Sequence, residues 1–69
     1  MERTSVSSSN ISAIGYEAET NTLEVEFLNG SVYQYAGVSA DEYEAMMNAD
    51  SKGKYLNANI KGRYSFTKL

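Results

Sequence analysis

A chain of 69 residues has room for one domain and one small core, and at this size only about 60% of the unfolded surface is buried on folding. There is no cysteine and no histidine, which removes disulfides, thiolate and imidazole metal sites and histidine-based acid–base catalysis. The formal charge of −3 is unevenly spread: residues 1–50 set all nine Asp and Glu against Arg3 alone (−8), while residues 51–69 hold Lys52, Lys54, Lys61, Arg63 and Lys68 with no acid (+5).

Two readings of that polarity stand side by side. The halves can neutralise each other on folding, or the basic segment can serve as a local patch for phosphates. No apolar run approaches membrane-spanning length, and the opening MERTSVSSSN lacks the hydrophobic stretch of a secretory signal. The expectation is a soluble, cytoplasmic protein without a membrane partner.

In chain order, residues 1–9 are serine-rich and poor in large apolar side chains, which predicts a flexible N-terminal arm ahead of a single domain over residues 10–69. Ile11 and Ala13 alternate, and Ile14, Tyr16 and Ala18 then alternate in the opposite phase. This suits a first strand with a bulge or kink, for which Gly15 is a ready site. After a turn at ETNT, LEVEFL is the clearest strand, with Leu23, Val25 and Phe27 on one face and Glu24 and Glu26 on the other. Asn29-Gly30 closes a hairpin, and SVYQYA returns as the third strand.

That hairpin admits two registers. A two-residue turn at Asn29-Gly30 sets Tyr33 and Tyr35 among Glu24 and Glu26, away from the apolar face. A three-residue loop, Leu28-Asn29-Gly30, pairs Val25 with Tyr33 and Leu23 with Tyr35, so the tyrosines join the apolar face. Dipeptide preference favours the first; burial favours the second, because the first turns Gln34 toward the core.

Beyond Gly37 the period changes. Ser39 and Glu42 have capping-box spacing, and Tyr43, Met46 and Met47 fall at i, i+3 and i+4 on one stripe of a short helix. A second helical segment follows, capped by Asp50 or Ser51, with Leu56 and Ile60 aligned and Gly62 as its stop. Gly53 weakens its first turn. Tyr64 and Phe66 alternate in the tail, which can add a short C-terminal strand or pack across the sheet. The expected fold is α+β: a small three-stranded antiparallel meander packed against two short helices.

The stretch from Val6 to Tyr64 resembles the KTSC domain, a small family found at the C-terminus of some lysyl-tRNA synthetases and as a stand-alone bacterial protein. The resemblance rests on Tyr33-Gln34-Tyr35, the family's hallmark Tyr-x-Tyr, and on Ser8-Ser9 before Ile11, Gly15-Tyr16, and Ser51-Lys52-Gly53-Lys54-Tyr55. It implies a domain of unestablished function, for which the synthetase connection suggests RNA binding, and it brings no active site with it.

For RNA or single-stranded nucleic acid, Lys54, Asn57 and Lys61 fall at i, i+3 and i+7 opposite Leu56 and Ile60, Arg63 and Tyr64 extend the stripe, and Lys52 and Lys68 lie nearby in sequence. A solvated lysine face on a small helix accounts for the same residues. Tyr33 and Tyr35 are read as structural first. The alternative from another class is a protein–protein interaction or accessory module, since a small meander exposes its edges. Catalysis is the weakest reading: Glu24 with Glu26 and Glu17 with Glu19 pair carboxylates, but solvated strand faces account for them. No calcium-loop spacing is present, and no metal or cofactor is expected.

Overall fold

The computed structural model describes residues 3–69. Its central feature is the hairpin between β3 (Thr22–Phe27) and β4 (Val32–Tyr35). The Phe27 amide donates to the Ser31 carbonyl at 2.8 Å, and the Gly30 amide donates back to the Phe27 carbonyl at 2.9 Å. These bonds enclose the three-residue loop Leu28-Asn29-Gly30. Gly30 takes φ +92°, the left-handed conformation that such a loop requires of its last residue. The Asn29 side chain also accepts from the Ser31 amide at 3.0 Å. The resulting register pairs Leu23 with Tyr35, Glu24 with Gln34, and Val25 with Tyr33.

Both tyrosines therefore lie on the apolar face. Tyr35 is 3% exposed and Tyr33 half-buried. Gln34 is turned to the opposite face, where its amide donates to Glu24 at 2.9 Å. That pairing removes the difficulty of placing a glutamine in the core.

β2 (Ile11–Glu17) lies beside β3, with Ile14 opposite Val25 and Tyr16 opposite Leu23. Its change of phase is absorbed between Ile11 and Ala13, where the register shifts. Gly15 stays in regular pairing with Glu24, so the expected kink at Gly15 is corrected to a bulge at Ser12. The extra residue lets Ile11 and Ile14, three apart, both reach 0% exposure on one face.

Among the described residues the sheet has five strands: the expected three-stranded meander, the short C-terminal strand that the tail allowed, and one more at the N-terminus. Arg3–Ser5 of the expected flexible arm forms β1, paired antiparallel with β2; Met1 and Glu2 lie outside the described residues. Arg3 accounts for this correction. It pairs with Gly15, which pairs in turn with Glu24. With no side chain at Gly15 to obstruct it, the guanidinium crosses β2 and meets Glu24 at 3.0 Å and Glu26 at 3.6 Å. The tail supplies β5 (Phe66–Lys68), which pairs Phe66 with Tyr35 and Lys68 with Tyr33. The sheet order is β1-β2-β3-β4-β5, all antiparallel.

The helical segments lie between β4 and β5 in the chain and cover one sheet face. α1 (Ala40–Met47) begins at Ser39, whose hydroxyl accepts from the Glu42 amide at 3.2 Å. It buries Met46 completely and stacks the Tyr43 ring on Tyr16, 4.8 Å apart and 10° from parallel. The Tyr16 hydroxyl donates to the Val38 carbonyl at 2.6 Å, tying the sheet to the linker that enters α1.

α2 (Lys52–Tyr55) starts at a Ser51 cap and widens into a π-helical segment, Leu56–Ile60, where the Lys61 amide reaches back to the Leu56 carbonyl at 2.7 Å. Gly62 ends it at φ +86°. Gly53, the residue that should weaken the first turn, is a close approach instead: a Cβ there would sit 2.5 Å from the Asn10 side-chain oxygen. The core is closed by Ile11, Ile14, Leu23, Val25 and Tyr35 from the sheet and by Val38, Met46, Leu56 and Ile60 above it.

Two stability measurements test this packing. Tyr35→Ala should cost about 3–5 kcal/mol in chemical denaturation, and Tyr33→Ala clearly less, because only Tyr35 is fully enclosed. Arg3→Ala, which strips a partner from the buried Glu24 carboxylate, should cost about 1–3 kcal/mol. Adding Glu24→Gln should recover much of that loss, since the double variant leaves no buried unpaired charge and the Glu26 carboxylate is partly exposed to water.

Candidate nucleic-acid interface

β4 is the strand next to the edge, and its apolar face extends beyond the helical cover onto β5. The register places Phe66 beside Tyr35 and Lys68 beside Tyr33 on that face. Phe27, at the end of β3, meets Tyr33 edge-on with ring centroids 5.7 Å apart. Phe66 lies 5.6 Å from Tyr33 and 6.1 Å from Tyr35. These rings line a groove of about 290 Å³, completed by Asn29, Ser31 and Lys61. The Lys68 ammonium stands 6.0 Å from the centroid of Tyr33, at the outer limit of a cation–π contact.

Among the described residues no carboxylate lines this groove. Glu24 and Glu26, the obstacle to phosphate binding near the tyrosines, occupy the other sheet face, where Arg3 engages both. Burial pushes the Tyr35 phenol above its ordinary value of 10.0, with Tyr33 adding to the effect, so it remains a neutral hydroxyl.

The stripe expected on the second helix is dispersed by the structure. Lys61 lies just past the π-helical segment and lines the aromatic groove. Lys54 and Asn57 are exposed and are not among the groove residues. The Lys52 ammonium donates to the Ala49 carbonyl at 3.3 Å, which makes it a helix-entry contact. Arg63 and Tyr64 belong to a second, shallower concavity with Gly62, Ser65 and Phe66. The i, i+3, i+7 spacing assumed a regular α-helix, and the wider turn from Leu56 breaks that assumption. Phe27 and Phe66 line the groove although the sequence reading did not name them as candidates, and Lys68, named there only as a nearby cation, stands over Tyr33. The Tyr64–Phe66 alternation hinted at a strand, but which strand it would pair with was not readable from spacing.

Glu42 anchors the loop behind the groove. Its carboxylate accepts the Tyr55 hydroxyl on one oxygen and the Tyr64 hydroxyl on the other, the latter at 3.3 Å. The reach back from Glu42 that a capping box would make is thus redirected to tie α1 to α2 and to the turn after Gly62. The family-type motifs also acquire physical reasons. Ser8 accepts from the Asn10 and Ile11 amides at 3.4 Å, Ser51 caps α2, Gly53 admits Asn10, and Tyr55 meets Glu42.

A five-stranded meander with helices on one face, and an aromatic groove with lysines at its border, define a small α+β domain of the sheet-platform kind. Residues 7–64 match the family model for the KTSC domain. The chain belongs to the KTSC domain family. A crystal structure of a KTSC domain protein from Yersinia pestis superposes with a TM-score of 0.93 at 39% identity, covering 99% of this chain and 96% of that one. An uncharacterised protein of Stutzerimonas stutzeri is 38% identical over 55 residues, 80% of this chain and 78% of its own length. The lysine–tRNA ligase of Nostoc punctiforme is 44% identical over 59 residues, 86% of this chain but only 10% of the ligase. The chain thus spans about a tenth of the ligase.

The Glu42 anchor has a pH signature. Hydrogen bonding to the Glu42 carboxylate, followed by desolvation, raises the Tyr55 pKa above 10.0. The folded state then holds that proton more tightly than the unfolded chain. The stability it contributes is fully present below pH 10 and is lost as pH rises through the folded value. Tyr55→Phe should therefore make the alkaline decline in stability shallower, measured by denaturation at stepped pH. A decline as steep as in the unaltered protein would exclude Tyr55 as a source.

Proposed function

We propose that this domain is a non-enzymatic module that binds RNA or another single-stranded nucleic acid, with bases resting in the aromatic groove and phosphates held by Lys61 and Lys68. The observation that carries this reading is the convergence of Phe27, Tyr33, Tyr35 and Phe66 with Lys61 in one groove that no carboxylate among the described residues lines. Sequence-tolerant recognition of a single strand asks for flat rings for the bases and cations for the backbone. Both are present on the side of the molecule that carries the basic segment. Lys54 adds attraction at longer range, Arg63 lines the adjoining polar concavity, and Lys52 and Tyr64 are engaged in internal hydrogen bonds. Asn57 is exposed but outside the groove. The similarity to a short part of lysine–tRNA ligases agrees with a tRNA-related setting.

The test is a titration with single-stranded oligonucleotides followed by amide chemical shifts. Binding should weaken steeply with salt. Lys61→Ala should lower the slope of log affinity against log salt by about 0.7, the contribution of one phosphate contact on a single strand. Lys54→Ala should change it less. An absence of shifts with every oligonucleotide at low salt would sink the reading and favour a protein partner.

A further inference from the structure

Phe66 is 60% exposed although it lies in a paired strand and adjoins two tyrosines. Its ring is tilted 50° to Tyr33 and 44° to Tyr35, so neither tyrosine stacks on it. It is also the residue shared by two concavities. On one side is the aromatic groove with Lys61; on the other is the polar concavity of Gly62, Arg63, Tyr64 and Ser65. The left-handed turn at Gly62 separates the two cations, with Lys61 lining the first concavity and Arg63 the second.

Resting on the reading that the groove takes a single-stranded nucleic acid, we propose that Phe66 is a wedge between two successive nucleotides. One base occupies the aromatic groove against Tyr33, and the next lies over the polar concavity. Phe66 stands between them, and Lys61 and Arg63 hold the phosphates on either side. The ligand class is then a single-stranded dinucleotide step, and the smallest oligonucleotide bound with nearly full affinity per site is a dinucleotide. A mononucleotide fills only one of the two concavities and loses the stacking that Phe66 adds. A duplex is disfavoured, because its bases already stack on one another and opening a gap for a ring costs unstacking at that step.

The experiment measures the affinity of the isotope-labelled chain at low salt for adenosine monophosphate, the adenylate dinucleotide and a longer oligoadenylate. The chain is used unaltered, as Phe66→Leu and as Phe66→Trp. The expected result is a steep gain from one nucleotide to two with shifts on both sides of Phe66. Phe66→Leu should weaken dinucleotide binding by about 5-fold to about 150-fold, the range set by one base–aromatic stack, and Phe66→Trp should retain it. Because Phe66 is largely exposed, thermal unfolding of both variants should stay close to that of the unaltered chain, which separates lost binding from lost folding. If oligoadenylate binds but Phe66→Leu binds as tightly as the unaltered chain, or the dinucleotide is no better than the monophosphate, the wedge is overturned and the wider reading survives. If no adenylate of any length shifts any resonance, both fall together.

Discussion

The three-residue loop at Leu28-Asn29-Gly30 is the constraint on which the rest of this molecule depends. Side chains on a strand alternate faces, so one residue more or less in the turn exchanges every partner across the hairpin. With Gly30 in the left-handed conformation, Tyr35 goes into the core beside Leu23, and Gln34 goes to the opposite face beside Glu24. A two-residue turn would have placed Gln34 under the helices and both tyrosines among carboxylates. The same register sets Phe66 and Lys68 of β5 next to the tyrosines, because β5 pairs with β4 in continuation of the pattern.

The sheet consequently sorts charge from aromatic surface. One face holds Glu24, Glu26, Arg3 and Gln34, joined by short polar contacts across strands β1 to β4. The buried Glu24 is tolerable there because two partners meet its oxygens, as a carboxylate removed from water requires. The other face carries rings and lysines. The chain's strong division between an acidic first part and a basic last part is in this way neither simply neutralised nor simply displayed. Arg3 cancels carboxylates at the back, and Glu42 collects the hydroxyls of Tyr55 and Tyr64 at the side. Lys61 and Lys68 are left at the groove.

Much of the architecture was legible in advance. Period-two alternation in LEVEFL, the serine caps before both helices, the i, i+4 pair Leu56 and Ile60, and the stop at Gly62 all appear where local chemistry puts them. These features depend on neighbours a few residues away. The errors share an opposite cause. Arg3–Ser5 reads as a polar arm because its strand partner is ten or so residues away and its anchoring charge lies on a third strand. The bulge at Ser12 rather than Gly15 depends on which isoleucines the helices demand. The basic stripe was drawn on an ideal α-helix, whereas the segment widens from Leu56 and only Lys61 of the stripe lines the groove.

By itself, the sequence determined the α+β class, the order of the three central strands and the two helical segments, the exclusion of cysteine and histidine chemistry, and the family to which the chain belongs. Each of these follows from composition, from short-range periodicity or from motifs in order. Only the tertiary structure decided the hairpin register, the return of the tail beside β4, and the meeting of Lys61, Phe66 and Tyr33 around one groove. The register turns on which ring the core encloses, and the other two on pairings between segments separated by a long stretch of chain. Their energy comes from burial and from hydrogen bonds made across the sheet, which no local pattern encodes.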